Sequence, residues 1–295
     1  MNSESLPRLP LTFELARKRI AAGKRGGYLI LRTLAGLGLL KKAYQFPLHP
    51  TADRVWAPLD WPGIEEYNIF ERYEKDALQA VNMAMTAHNG DFALIDCGAD
   101  VGVYSKLLLN INDQIKHVTA FEPNERSFSI LSKNFAALGN HTQLFCAAVG
   151  QKAGYGKLVS PSALTDSHSK FIVEAAEGPI KIARIDDLSL PSHLALVLKL
   201  DIEGAEYEAL LGAANTISQA SYFVIQIEAH RDVARRINQE PLDSLRLLRE
   251  LVGELDWVAC NDKQGKTYTN LSLDRPLFEQ LPEHDIYDLV VWKRP

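Results

Sequence analysis

Acidic side chains recur in this sequence where short apolar runs end, and four segments carry them. The first, Leu94-Ile95-Asp96-Cys97-Gly98-Ala99-Asp100-Val101-Gly102-Val103-Tyr104-Ser105, runs from an apolar stretch through two glycines towards a helical pattern. Gly98 and Gly102 would let the backbone bend sharply and approach a ligand. The second, Val118-Thr119-Ala120-Phe121-Glu122-Pro123-Asn124, ends in Glu122, 24 residues beyond Gly98. A carboxylate there can accept both hydroxyls of a ribose, each charge-assisted bond contributing roughly 1.5–3 kcal/mol. Pro123 stops the strand, and Asn124 suits a helix cap. The third, Leu198-Lys199-Leu200-Asp201-Ile202-Glu203-Gly204-Ala205-Glu206, delivers Asp201 and Glu203 to the end of a strongly apolar run. The fourth, Phe223-Val224-Ile225-Gln226-Ile227-Glu228-Ala229-His230, puts Glu228 and His230 two residues apart, on one side of an extended chain.

These types suit a cationic ligand better than a diphosphate. The dinucleotide pattern G-x-G-x-x-G is absent, since Asp100 stands where its second glycine would fall. Asp96 and Asp100 would repel a pyrophosphate but favour an ammonium and a sulfonium, which points to S-adenosylmethionine over NAD. Asp201 and Glu203 would sit at the sheet edge where open α/β folds bind ligands. A plainer reading pairs Asp201 with Lys199 and makes Glu203 a helix-start charge. His230 titrates near neutrality and can take or relay a proton.

The elements expected to hold these residues alternate. Helices are expected over Ile69–His88, Tyr104–Asn110, Glu125–Leu138, Ala205–Ala213 and Leu242–Leu251. Strands are expected over Phe92–Ile95, Val118–Phe121, Leu144–Ala147, Leu194–Leu200, Tyr222–Ile227, Trp257–Ala259 and Asp288–Trp292. Such alternation predicts an α/β fold with a mostly parallel central sheet covered on both faces. Residues 46–64, rich in Pro and Trp, read as an irregular connector. Residues 150–190, rich in Gly and Ser, read as an inserted loop or small hairpin over one end of the sheet. The division is thus a basic helical segment over 1–50, a connector and helix over 51–90, and the α/β domain over 91–295.

Composition narrows the partners. Residues 1–50 carry nine Lys/Arg against two Glu, which leaves a net charge of −12 on the remainder of a chain whose total is −5. An acidic body argues against a nucleic-acid surface. The basic segment could lie on an anionic membrane, or pack as a helical arm on the body or on a second subunit of a homo-oligomer. No signal peptide is evident, and Gly26–Leu40 is shorter than the roughly 20 apolar residues of a spanning helix. The expected location is cytoplasmic, with membrane association through residues 1–50. Cys97, Cys146 and Cys260 show no metal spacing and read as small buried thiols.

Taken together, I-D-C-G-A-D-V-G-V-Y-S, A-F-E-P-N, A-A-V-G, I-D-D-L, L-K-L-D-I-E-G-A-E-Y-E-A-L-L-G-A and I-E-A-H resemble the FkbM-type methyltransferases. The similarity is close from about Ile69 to Ala229, and Lys199–Glu206 is its most distinctive part. The resemblance implies a class I methyltransferase fold, Rossmann-like, with S-adenosylmethionine as donor and O-methylation, often of sugars or polyketide-type products. It implies a donor loop of Asp96, Gly98, Ala99, Asp100 and Gly102; Tyr104 and Asn124 are further candidate donor-site residues. It also implies a ribose acid at Glu122, an adenine border at Ala147 and Ala148, and Asp201 near the methyl group or the acceptor. The family usually has Asn where this chain has Asp100.

On this reading an acceptor hydroxyl of a small molecule or glycan attacks the methyl in line. His230 is the first candidate base and Asp201 the second, and Glu203 and Glu228 orient them or bind sugar hydroxyls. In a variant, Asp201 and Glu228 hold Mg²⁺. A nitrogen acceptor, a dehydrogenase and a non-catalytic binding or scaffolding protein are the rival readings.

Overall fold

The computed structural model describes residues 29–30, 33–34, 37, 43–48, 53–58, 73–160, 171–261 and 263–294. Most of the basic segment 1–50 therefore lies outside the described residues. Its described part is helical at 29–30 and 33–34, where Leu37 donates to the Thr33 carbonyl, and then extended.

An antiparallel ribbon comes first, β1 (Tyr44–Pro47) against β2 (Arg54–Ala57). It corrects the expectation of an irregular connector from residue 46. Proline blocks interior strands, but Pro47 closes β1 and Pro58 follows β2, positions a two-stranded ribbon tolerates. Asn134 ties the ribbon down: its amide donates to the Trp56 and Val101 carbonyls, and its oxygen accepts from the Trp56 N–H.

Helix α1 (Lys75–Ala87) follows, burying Ala77, Leu78, Ala80, Val81, Ala84 and Met85 along one stripe. Then come β3 (Phe92–Cys97), α2 (Val103–Ile111), β4 (Ile115–Phe121), α3 (Glu125–Phe135) and β5 (Thr142–Phe145). The segment after β5 forms a second, small sheet of β6 (Ala148–Val149), β7 (Gly154–Val159), β8 (Phe171–Glu174) and β9 (Ile180–Ala183). The main sheet resumes with β10 (Ala195–Leu200), α4 (Glu206–Leu211), α5 (Ala214–Gln219), β11 (Phe223–His230), α6 (Arg231–Ile237) and α7 (Asp243–Val252). It ends with β12 (Leu255–Asn261), β13 (Lys266–Tyr268), α8 (Leu277–Gln280) and β14 (Ile286–Lys293).

The eight strands of the main sheet lie in the order β13-β12-β14-β11-β10-β3-β4-β5. From β5 to β11 all neighbours are parallel, and β14 runs antiparallel to both β11 and β12. Chain order reverses between β3 and β10, the kind of switch point at whose carboxyl ends open α/β sheets take their ligands. This is the class I methyltransferase arrangement, with a late antiparallel strand inserted beside β11.

The central strands are buried along their whole length, which is why they read as unbroken apolar runs. Alternate residues feed two cores. Leu94 and Val197 join α1, α2, α3 and the ribbon on one face, while Ile95, Leu196 and Leu198 join α4, α5 and α7 on the other. Among the described residues no helix is long and apolar enough to cross a membrane. Cys97 and Cys260 are buried as expected, but Cys146 is exposed, because it follows β5 at the sheet edge.

Candidate functional site

The carboxyl ends of β3, β4, β5, β10 and β11 share one rim, and backbone hydrogen bonds stitch their turns together. Gly98 and Ala99 N–H groups donate to the Phe121 carbonyl at 3.0 and 2.9 Å, Glu122 N–H to Phe145 at 3.1 Å, and Asp201 N–H to Cys97 at 3.1 Å. Gly98 has φ +81°, and a Cβ there would lie 1.9 Å from the Asp201 carbonyl oxygen. Glycine is thus required so that the β3 and β10 turns can touch. Gly102, at φ +86°, has the place of a Cβ filled by Phe135 and Leu131, so glycine is required where α3 packs against this turn.

Glu122 joins two turns. One carboxylate oxygen accepts from Asp100 N–H at 2.8 Å and the other from Asn124 N–H at 2.7 Å. Asn124 in turn caps α3, accepting from Arg126 N–H at 3.0 Å. Asp100 adopts φ +47°, a conformation that Asn and Asp tolerate best among non-glycine residues. Ala147 and Ala148 are buried beyond β5, beside the stacked Phe121 and Phe145 rings.

Asp96 does not lie in the turn. It belongs to β3, is fully buried, and accepts the Ser105 hydroxyl at 2.6 Å, its other oxygen having no partner among the described residues. Burial pushes its carboxyl up to about 6, against the pull of Lys199 and the Ser105 bond. Tyr104 likewise points inward, donating to the Gln226 amide oxygen at 2.8 Å.

The Lys199–Glu206 block divides its labour. Lys199, 3% exposed, contacts Asp201 at 3.0 Å and Glu74 at 3.2 Å. The Asp201–Lys199 pair is the plainer of the two sequence readings, and Asp201 is still 26% exposed at the rim. Glu206 is a local staple, accepting from Ile202 and Gly204 N–H groups at 3.1 and 3.0 Å. Glu203 sits at φ +59°, its carbonyl held by Arg236. Burial, with Asp201 and Glu206 adding repulsion and Arg236 opposing, pushes its carboxyl up to about 7.

Gln226, Glu228 and His230 share the face of β11 that carries this network. Burial raises the Glu228 carboxyl, reinforced by Asp201, Asp288 and Glu203. His230 stands furthest out, and its Nδ1 accepts from Asp232 N–H at 3.3 Å at the start of α6. Burial lowers its imidazole, Asp232 and Asp285 opposing, so neutral imidazole is favoured. A small crevice of about 30 Å³ opens beside it, lined by Glu206, Glu228, Val233, Pro241 and Ser244 among others. Among the described residues no group of three or more His, Cys, Asp or Glu side chains is placed to hold a metal, and Asp201 turns to Lys199.

Sequence reasoning missed Glu74, Gln226 and Asp288, which the fold joins to this group. Gln226, fully buried, donates to Glu74 at 2.7 Å and to Asp288 at 2.8 Å. The available signal was a polar residue inside an all-apolar run, Lys in A-L-V-L-K-L and Gln in F-V-I-Q-I, because such a group must find a partner once buried.

Several solved structures resemble the chain at low identity. Methyltransferase FkbM from Methylobacillus flagellatus KT is 16% identical with a TM-score of 0.42, over 68% of this chain and 43% of that one. The chain therefore spans less than half the length of that protein. M. jannaschii TYW2 in complex with AdoMet is 13% identical with a TM-score of 0.43, over 87% of this chain and 88% of that one. N-methyltransferase NodS from Bradyrhizobium japonicum WM9 is 13% identical with a TM-score of 0.40, over 77% of this chain and 98% of that one. No curated protein matches the sequence. The methyltransferase FkbM domain itself matches residues 96–255, the span from the buried acid of β3 to the first residue of β12. That match takes in every turn of the rim, and the chain belongs to the FkbM methyltransferase family.

Proposed function

We propose that the protein transfers the methyl group of S-adenosylmethionine to a hydroxyl oxygen of a sugar, a polysaccharide or glycolipid, or a related natural product. The observation that carries this reading is the rim itself: Glu122, Asp201, Glu203 and Glu228 are gathered along one sheet edge within the matched family domain. The donor supplies an electrophilic methyl on a cationic sulfur. Carboxylates complement that charge, and Glu122, oriented by two backbone N–H groups, is placed as the acid for a ribose diol. The chain must then position the acceptor, which is worth up to roughly 7–11 kcal/mol in favourable cases. It must also remove the hydroxyl proton, roughly 10²–10⁴-fold in rate.

His230 is the first candidate for that proton. Its Nδ1 accepts from the Asp232 N–H, so the neutral ring carries its proton on Nε2, and Nδ1, the nitrogen with the lone pair, can take a substrate proton once it gives up that bond. Asp201 is the second, and Glu203, its carboxyl pushed up to about 7 by burial, has its carbonyl held by Arg236. Mg²⁺ held by Asp201 and Glu228 requires Asp201 to leave Lys199. Residues 1–50 would carry the enzyme to an anionic membrane, which favours a membrane-linked glycan. Leu29 and Leu37, both 68% exposed, offer apolar contacts for this, and flotation with anionic vesicles tests it.

Calorimetry with S-adenosylmethionine and NADH, followed by a mass screen of glycans for the gain of one methyl group, tests the function. Binding of the first ligand alone is expected, and no binding of it would overturn the proposal. With an acceptor in hand, His230→Ala should lower turnover far more than donor affinity, and unchanged turnover would remove His230 from the mechanism.

A further inference from the structure

Lys199 stands at the centre of a buried ionic group that extends well behind the rim. In register across the sheet it lies between Asp96 of β3 and Gln226 of β11. Its ammonium contacts Asp201 and Glu74 and sits 4.7 Å above the Tyr104 ring. Glu74 is unusual in its own right. It precedes α1 with φ 45° and ψ 35°, yet its side chain makes no cap to that helix. It reaches instead to Lys199 with one oxygen and to the Gln226 amide with the other. A strained non-glycine backbone persists only where its surroundings over-determine it. Here those surroundings are an ion pair and a hydrogen bond to the centre of the sheet.

Asp201 is faced by acids from several elements. Glu203 and Glu206 come from its own turn, Asp96 from β3, Tyr73 and Glu74 from before α1, and Glu228 from β11. Arg236 serves Glu203, so among the described residues Lys199 is the cation at bonding distance from Asp201. Burial alone would lower the Lys199 ammonium, but Asp201, Glu74, Tyr73 and Asp96 more than reverse this. The cation is therefore locked in place by the same acids it neutralises.

We propose that Lys199, braced by Glu74, is a positioning residue for Asp201: it fixes the direction of that carboxylate at the rim. The inference rests on the methyl-transfer reading, because a cationic donor gains from Asp201 only while that carboxylate is held at the rim. Without Lys199, Asp201 would face acids alone and turn away.

The test uses the full chain with S-adenosylmethionine as probe. Lys199→Met alone strands Glu74 and Asp201, so the decisive variant is Lys199→Met with Glu74→Gln, which removes a cation and an acid together. Carbon-13 NMR of labelled aspartates, assigned with Asp201→Asn, should show the Asp201 carboxyl resonance displaced in the folded double variant while the other aspartate resonances stay in place. Calorimetry should show at least about tenfold weaker donor binding by the double variant at neutral pH. An Asp201 resonance at its native position, or native affinity, would overturn the proposal. A double variant that cannot fold would overturn it too, since the pairing would then be structural. Wild-type protein that binds no donor, with the resonance displaced as described, would overturn the methyl-transfer reading and leave the positioning role of Lys199 standing.

Discussion

Replacing Gly98 by alanine tests the contact between the β3 and β10 turns, on which the rim depends. The backbone at φ +81° charges an L side chain about 1–2 kcal/mol. The new Cβ would also stand 1.9 Å from the Asp201 carbonyl oxygen and 2.9 Å from its carbon, both backbone atoms that cannot swing aside. Overpacking of this kind costs about 1–3 kcal/mol. Parting the turns also breaks the Asp201 N–H bond to Cys97, 3.1 Å in the native fold and worth about 0.5–1.5 kcal/mol net. The expected loss is about 3–6 kcal/mol, a large share of a typical 5–15 kcal/mol stability. Gly265→Ala is the matched control. Its φ is +63° and the nearest foreign atom is 3.7 Å away, so only the backbone charge of about 1–2 kcal/mol applies. Thermal unfolding should separate the two by at least about 4 °C, and Gly98→Ala alone should weaken S-adenosylmethionine binding in calorimetry. If the two variants melt together, or if Gly98→Ala binds the donor as the native chain does, the turns do not meet as described.

Glu122→Gln keeps the shape but removes the charge that serves two backbone N–H groups and, on our reading, a ribose. Donor Kd should rise about 10- to 100-fold by calorimetry, and an unchanged Kd would exclude Glu122 from the donor site. Asp100→Asn suits φ +47° and takes a charge away from Glu122, so the melting temperature should stay level or rise, and a fall would contradict the left-handed turn. Asp186 accepts from Thr216 N–H and hydroxyl at 2.8 and 2.9 Å and from Asn215 N–H at 3.2 Å, joining the turn after β9 to α5. Asp186→Ala should cost about 2–3 kcal/mol in denaturant unfolding. Burial alone would raise the Asp186 carboxyl, but those bonds and Arg184 outweigh it and lower it. Its contribution is therefore present above the unfolded value of about 4 and is lost as pH falls through the lower folded value. The variant should show a shallower acid decline of stability than the native chain, and parallel declines would refute the assignment.

The sequence by itself determined the central strands, the turns that follow them and the acids those turns carry, because the signals are local. A-L-V-L-K-L and F-A-L-I-D-C are apolar but for one charged residue each, the run expected of a strand buried on both faces. Gly98, Glu122 and Asp201 stand at their ends whatever the fold does elsewhere. The match to one family rests on the same local runs. Tertiary structure alone decided which way the side chains face. Asp96 and Tyr104, read as ligand contacts, turn inward because strand register sets Asp96 opposite Lys199 and α2 carries Tyr104 over Gln226. Gly102 is spent on Phe135, the two prolines bound a ribbon that Asn134 fastens, and Glu74 finds Lys199 from far away in sequence. Each of these depends on which distant segments meet. A pattern with a period of two or 3.6 residues fixes an element and its buried face, but the identity of the neighbour across that face is set only when the sheet closes on its helices.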